Sequence, residues 1–254
     1  ADLPRITRVD LLGFIRAHLA RDNMVIGVVG DITPAELAPL LDRTFGALPA
    51  KAAAASVADV APALGRAPEV IIRDVPQSVI AFAGRGVKRG DPDFYAAYLL
   101  SHVLGSDSLT SRLGKAVRVK RGLVYSIYLE TVPYDQGALE LGGFATRNEK
   151  VGEALKLVRK VLADVREHGV TAAELADAKT YINGSFPLTL SSNARIAAFL
   201  VTCQLDRLGV DYLDRRAKLI DAVTLDDINR VARRLLDPDK LLVVVVGKPR
   251  GLGG

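Results

Sequence analysis

Two stretches of this chain align without a gap at an offset of 217 residues. ITRVDLLGFIRAHLARDNMVIGVVG (6–30) matches VTLDDINRVARRLLDPDKLLVVVVG (223–247). Thr7 pairs with Thr224, Asp10 with Asp227, Arg16 with Arg233, Leu19 with Leu236 and Gly30 with Gly247. In each copy a threonine can N-cap a helix, and the aspartate three residues on completes a capping box. Apolar residues succeed it at helical spacing, then a polar turn (ARDN or DPDK), then a buried strand, MVIGVV (24–29) or LLVVVV (241–246). A repeat at this distance is a whole domain, not a solenoid unit. The expected organisation is the C-terminal tail of a truncated first domain (1–48), an Ala/Pro-rich linker (49–68) and a complete, homologous second domain (69–254).

The segments between the copies define the fold class. TPAELAPLLDRTFGAL (33–48) reads as a helix with Thr33 as N-cap, Pro34 in the first turn and Glu36 closing a capping box. EVIIRDV (69–75) and SVIAFAGRGV (78–87) read as strands. DPDFYAAYLLSHVLG (91–105) and SLTSRLGKAVRVKRG (108–122) read as helices, the second capped by Ser108 and stopped by Gly122. LVYSIYLETV (123–132) and GALELGGFAT (137–146) form an antiparallel hairpin across PYDQ. Four helices come next, at 148–168, 171–186, 191–208 and 211–221. Paired strands first and clustered helices afterwards predict an α+β domain, a largely antiparallel sheet with helices packed on one face.

Composition narrows the function. The net charge of +5 comes from 34 basic and 29 acidic residues interspersed along the chain, which is a solvated surface. Nucleic-acid binding would need a basic face carrying aromatic platforms, and a chain with no Trp, seven Phe and dispersed charge argues against it. No apolar run reaches the roughly 20 residues of a membrane helix. A single cysteine, Cys203, excludes an intrachain disulfide framework and suits a periplasmic or a cytoplasmic setting. It lies in an apolar helical stretch and reads as a core residue.

The three histidines, His18, His102 and His168, stand far apart, and neither H-E-x-x-H nor H-x-x-E-H occurs. The chain by itself therefore offers no metal site and no cofactor site. GRGVKRG (84–90) has the spacing of neither a phosphate loop nor a dinucleotide fingerprint, and G-x-S-x-G is absent. One junction stands out. In RVKRGLVYSIY (118–128), Arg118 ends a basic helical run and Tyr125, seven residues on, falls in a strand pattern where it alternates with Leu123 and Ile127.

Taken in order, RDNMVIGVVGDITPAEL (21–37), DPDFYAAYLLSHVLG (91–105), SRLGKAVRVKRGLVYSIY (111–128), TAAELADAKTYINGSF (171–186) and DYLDRRAKLIDAVTLDDINRVARRLL (211–236) resemble the pitrilysin/insulinase family of zinc metallopeptidases, which includes the mitochondrial processing peptidases. The resemblance implies two homologous halves joined by a linker, with an H-x-x-E-H zinc motif in the first. This chain resembles the half without zinc, expected to bind no metal and to cleave nothing alone. Zinc is expected in the missing domain or in a partner subunit, whether of a homodimer or a heterodimer, and the substrates are expected to be peptides. The resemblance further implies that Arg118 and Tyr125 face the zinc across a chamber and act in catalysis, with Lys120, Arg121 and Tyr128 as weaker candidates. A guanidinium and a phenol suit that task, since peptide hydrolysis builds negative charge on the carbonyl oxygen. The competing expectation is a non-enzymatic scaffold or partner subunit of the same family.

Overall fold

The computed structural model describes residues 3–53 and 56–252. These form two compact units, Ala1–Ala58 with Ser185–Tyr212, and Asp59–Gly184 with Leu213–Gly254. None of the described helices is long and apolar enough to cross a membrane.

The larger unit is built on five strands: β1 (Glu69–Ile72), β2 (Gln77–Arg85), β3 (Ile127–Tyr134), β4 (Gly137–Arg147) and β5 (Leu242–Gly247). Their order in the sheet is β1-β5-β2-β4-β3, with β1 and β5 parallel and all other pairs antiparallel. The α+β class expected from the sequence is the one observed. Along β2, Ser78, Ile80 and Phe82 are buried while Gln77, Val79 and Ala81 are exposed. That two-residue period assigns one face of the sheet to the core and leaves the other open.

The covered face packs against α3 (Phe94–Gly105), α4 (Val151–His168) and α8 (Leu225–Leu235). Leu99, Leu100 and Leu104 of α3, Val158 and Leu162 of α4, and Ile228 and Val231 of α8 are fully enclosed. α3 begins at Phe94. Ahead of it, Asp91 accepts the Asp93 N–H and pairs with Arg234 at 2.9 Å. Asp93 pairs with Arg230 at 2.8 Å and also with Arg234. These ion pairs pin α8 to the start of α3. Between α4 and α5 (Ala172–Ser185), Gly169 closes the first helix, and Thr171 with Glu174 caps the second.

The smaller unit contains α1 (Arg8–His18), α2 (Pro34–Phe45) and α6 (Asn193–Leu205), with the chain passing on into α7 (Tyr212–Asp221). The capping boxes Thr7/Asp10 and Thr33/Glu36 are both formed. The strand expected at 24–29 is not. The segment has no ladder partner, because no strand occurs among the described residues of this unit. It runs along α6 instead, with Gly27 backing onto Ala197 and Val201. A ladder needs a neighbour, and apolar β-branched sequence alone does not make one.

Candidate functional site

The Arg118–Tyr125 junction is shaped by a feature with no sequence signature. Residues 108–122 do not form the expected α-helix. The chain makes a π-helical turn over Gly114–Val119, in which the Lys120 N–H donates to the Lys115 carbonyl at 3.0 Å. Such a turn takes in one residue more than an α-helical turn and so re-aims the chain beyond it. Gly114 permits it by close approach: a β-carbon there would lie 2.5 Å from the Ser108 carbonyl carbon and oxygen. Leu113 and Val117 root the turn in the core.

Ser108 has a different role from the expected cap. Its hydroxyl accepts the Ile127 N–H at 3.1 Å and donates to the Ile127 carbonyl at 3.2 Å, so it closes the free edge of β3 at its first residue. Asp107 performs the capping instead, accepting the N–H groups of Leu109 and Thr110 at 2.6 and 2.8 Å. Those bonds hold its carboxyl below the usual carboxylate range, and the positive charge of Arg118 adds to the effect. Asp107 is absent from the residues singled out by sequence, although an aspartate ahead of a Ser-Leu-Thr turn is a recognisable cap signal.

After the turn, Gly122 adopts φ +60°, and its N–H donates to the Arg118 carbonyl at 2.8 Å. This left-handed residue reverses the chain, a conformation open to glycine at little cost. Leu123 returns its N–H to the Val117 carbonyl at 3.1 Å, and Val124 is buried. Tyr125 then stands out from the surface. It is not in a strand, because β3 starts two residues later, at Ile127. The residue is 85% exposed, and the Arg118 guanidinium carbon lies 5.0 Å from the ring centroid. The guanidinium over the ring is a cation–π contact, worth about 0.5–1 kcal/mol at an exposed site. The two side chains come together, and the phenol projects into open space.

The weaker candidates divide. Lys120 and Arg121 are exposed on the turn. Tyr128 lies across Gly143, its register partner on β4, with its hydroxyl beside the position a β-carbon at Gly143 would occupy.

No group of three or more His, Cys, Asp or Glu side chains among the described residues could hold a metal ion. His18 stacks on Phe14 and contacts its carbonyl, and His168 meets Asp164 at 3.1 Å. His102 packs on Tyr181, where burial lowers its pKa. The donor set therefore does not fit a zinc site within these residues.

The chain matches the family described as "Peptidase M16 inactive domain" over residues 5–182. An uncharacterized zinc protease of Streptomyces coelicolor is 30% identical over 249 residues, covering 91% of this chain and 52% of that protein. A probable mitochondrial-processing peptidase subunit beta of Schizosaccharomyces pombe is 29% identical over 270 residues, covering 99% and 57%. Among solved structures, a peptidase M16 inactive domain from Pseudomonas fluorescens superposes with a TM-score of 0.84 at 31% identity, covering 97% of this chain and 59% of that one. The chain thus spans somewhat more than half the length of the proteins it matches.

Proposed function

The chain belongs to the peptidase M16 family, the pitrilysin/insulinase metallopeptidases, as an inactive domain, and from that premise we propose that it is the zinc-free part of a composite peptide-hydrolysing site. In this reading residues 1–48 complete a homologous domain and 49–68 link it to the sheet unit. The zinc is carried by that other domain or by a partner subunit, as the zinc-protease and processing-peptidase-beta names of the relatives suggest.

The observation that carries the reading is the exposed phenol of Tyr125 held under the Arg118 guanidinium. A tyrosine hydroxyl is a neutral donor that can give a hydrogen bond to a carbonyl oxygen gaining charge. Arg118 stays ionised, and its fork can engage the same oxygen or the neighbouring peptide carbonyl. Both groups stand on a turn rooted in the core, so they are positioned before substrate arrives.

Peptide cleavage by this chain joined to its zinc-bearing partner tests the proposal. Replacing Arg118 by Ala or Tyr125 by Phe is expected to lower turnover on the order of 10²-fold, the effect of removing one donor to a developing oxyanion, with zinc content unchanged. Full turnover in both variants would remove the pair from catalysis and leave the scaffold role.

A further inference from the structure

A cleft of about 220 Å³ in the sheet unit lies at the C-terminal end of α8, far along the chain from the Arg118 turn. Its charged lining is Arg85, Arg166, Arg233, Arg234, Asp237 and Lys240. Arg85 is the last residue of β2, Arg166 sits in the last turn of α4, and Arg233 and Arg234 sit in the last turn of α8. Arg234 is committed to Asp91 and Asp93. Asp237, the one carboxylate among the described residues of the lining, lies 3.3 Å from Lys240. The side chains of Arg85, Arg166 and Arg233 have no ion-pair or hydrogen-bond partner among the described residues.

Cations are welcome at helix C-termini, and that accounts for Arg166 and Arg233 taken singly. It does not account for Arg85, which ends a strand, or for all three converging on one concavity. Unneutralised guanidiniums brought together repel one another, and each carries a planar fork that matches phosphoryl oxygens in bidentate geometry. We infer that this cleft is a binding site for a small polyvalent oxyanion, a diphosphate or triphosphate group, held by Arg85, Arg166 and Arg233. The volume is below the usual 300–1,000 Å³ of sites that enclose a drug-sized ligand. It suits the phosphoryl group itself, with anything attached left outside.

The position gives the site a second consequence. Leu64 forms part of the wall, and the neighbouring Gly65 N–H donates to the Lys240 carbonyl at 3.0 Å. The cleft therefore lies beneath the segment that leads into β1, and a bound anion draws that segment and the end of α8 onto one charge.

Titration calorimetry of the 254-residue chain with inorganic pyrophosphate, tripolyphosphate and ADP tests the inference. Pyrophosphate is expected to bind one to one, more weakly as salt is raised. Arg85→Gln, Arg166→Gln and Arg233→Gln, all exposed and so compatible with folding by circular dichroism, are each expected to weaken it about tenfold or more. Arg73→Gln, outside the cleft, is expected to leave it unchanged. Equal binding of pyrophosphate and ADP identifies a free phosphoryl group as the recognised moiety, and tighter ADP binding identifies a nucleotide. No binding by the parent chain, or binding undiminished in the folded triple variant, overturns the site.

Discussion

α1 and α8 are two copies of one sequence pattern with opposite fates. Both are 11-residue helices with a Thr N-cap in extended conformation, a closed Thr/Asp capping box and an extended leucine after the last turn. Even the single 3-10 turns beyond them, Arg21–Asn23 and Pro238–Lys240, fall at matching positions. Yet Ile228, Val231, Ala232 and Leu235 of α8 are buried, whereas α1 buries nothing and Phe14, the counterpart of Val231, is 60% exposed. The apolar stretches after them differ likewise: 242–247 joins a sheet and 25–30 does not. Local signals made both helices, and only α8 found a sheet and a pair of helices to bury its apolar face. The sequence of α1 carries the same apolar pattern, which supports the proposal that residues 1–48 belong to a second such domain.

That contrast can be broken most directly at its buried positions. Val231→Asp places a charge in a closed core and is expected to cost more than about 4 kcal/mol, enough to unfold the sheet unit. Phe14→Asp is expected to change urea stability by less than about 0.5 kcal/mol. Equal effects in denaturation monitored by circular dichroism would mean that α1 is covered too.

The core that encloses α8 also holds Glu140 of β4, whose carboxyl meets the Thr131 hydroxyl at 2.7 Å. Burial pushes its pKa up to about 8 from an ordinary value of 4.5. The folded state therefore keeps a proton that the unfolded state releases between those values, and stability falls as pH rises from about 4.5 to about 8. Glu140→Gln is expected to flatten that slope and to raise the melting temperature at pH 8. A parent chain with no loss of stability across this range would contradict the burial.

α8 carries a second device that α1 lacks: where α8 has Arg230 and Arg234, α1 has Gly13 and Ala17. Hydrogen bonds from these arginines hold Asp91 and Asp93 below their ordinary carboxylate range. For depressed carboxylates the stabilisation is complete above the unfolded pKa near 3.8 and is lost as pH falls through the folded values. Asp93→Asn is expected to cost about 1–3 kcal/mol at neutral pH and to blunt acid unfolding below about pH 4. An unchanged acid transition would show that the pairs add nothing to stability. The smallest effect separates the caps. Thr224→Ala is expected to lower the stability of the sheet unit by about 1 kcal/mol, whereas Thr7→Ala alters only local helicity.

Legibility in the sequence tracks the range of the forces involved. The boxes Thr7/Asp10, Thr33/Glu36, Thr171/Glu174 and Thr224/Asp227 are legible because each is closed within four residues. The β3–β4 hairpin is legible for the same reason. The segment at 24–29 carries a strand's composition without forming one, because pairing depends on chain that is distant in sequence. The π turn at 114–119 has no periodic signature, so the pattern puts Tyr125 in a strand that begins only at Ile127. Glu140 is findable, since it shares the inward parity of Phe144 and Thr146 in β4. The cleft that Arg85, Arg166 and Arg233 line is not, because three separate elements deliver them.

The central claim is that Arg118 and Tyr125 act as one device on a shared substrate oxygen. A double-mutant cycle on peptide turnover by the zinc-bearing assembly tests it, using Arg118→Ala, Tyr125→Phe and the pair together. Each single change is expected to cost on the order of 10²-fold in kcat/KM, and the double change little more than either. Single variants that retain the parent's turnover, or losses that multiply as for independent sites, would contradict it.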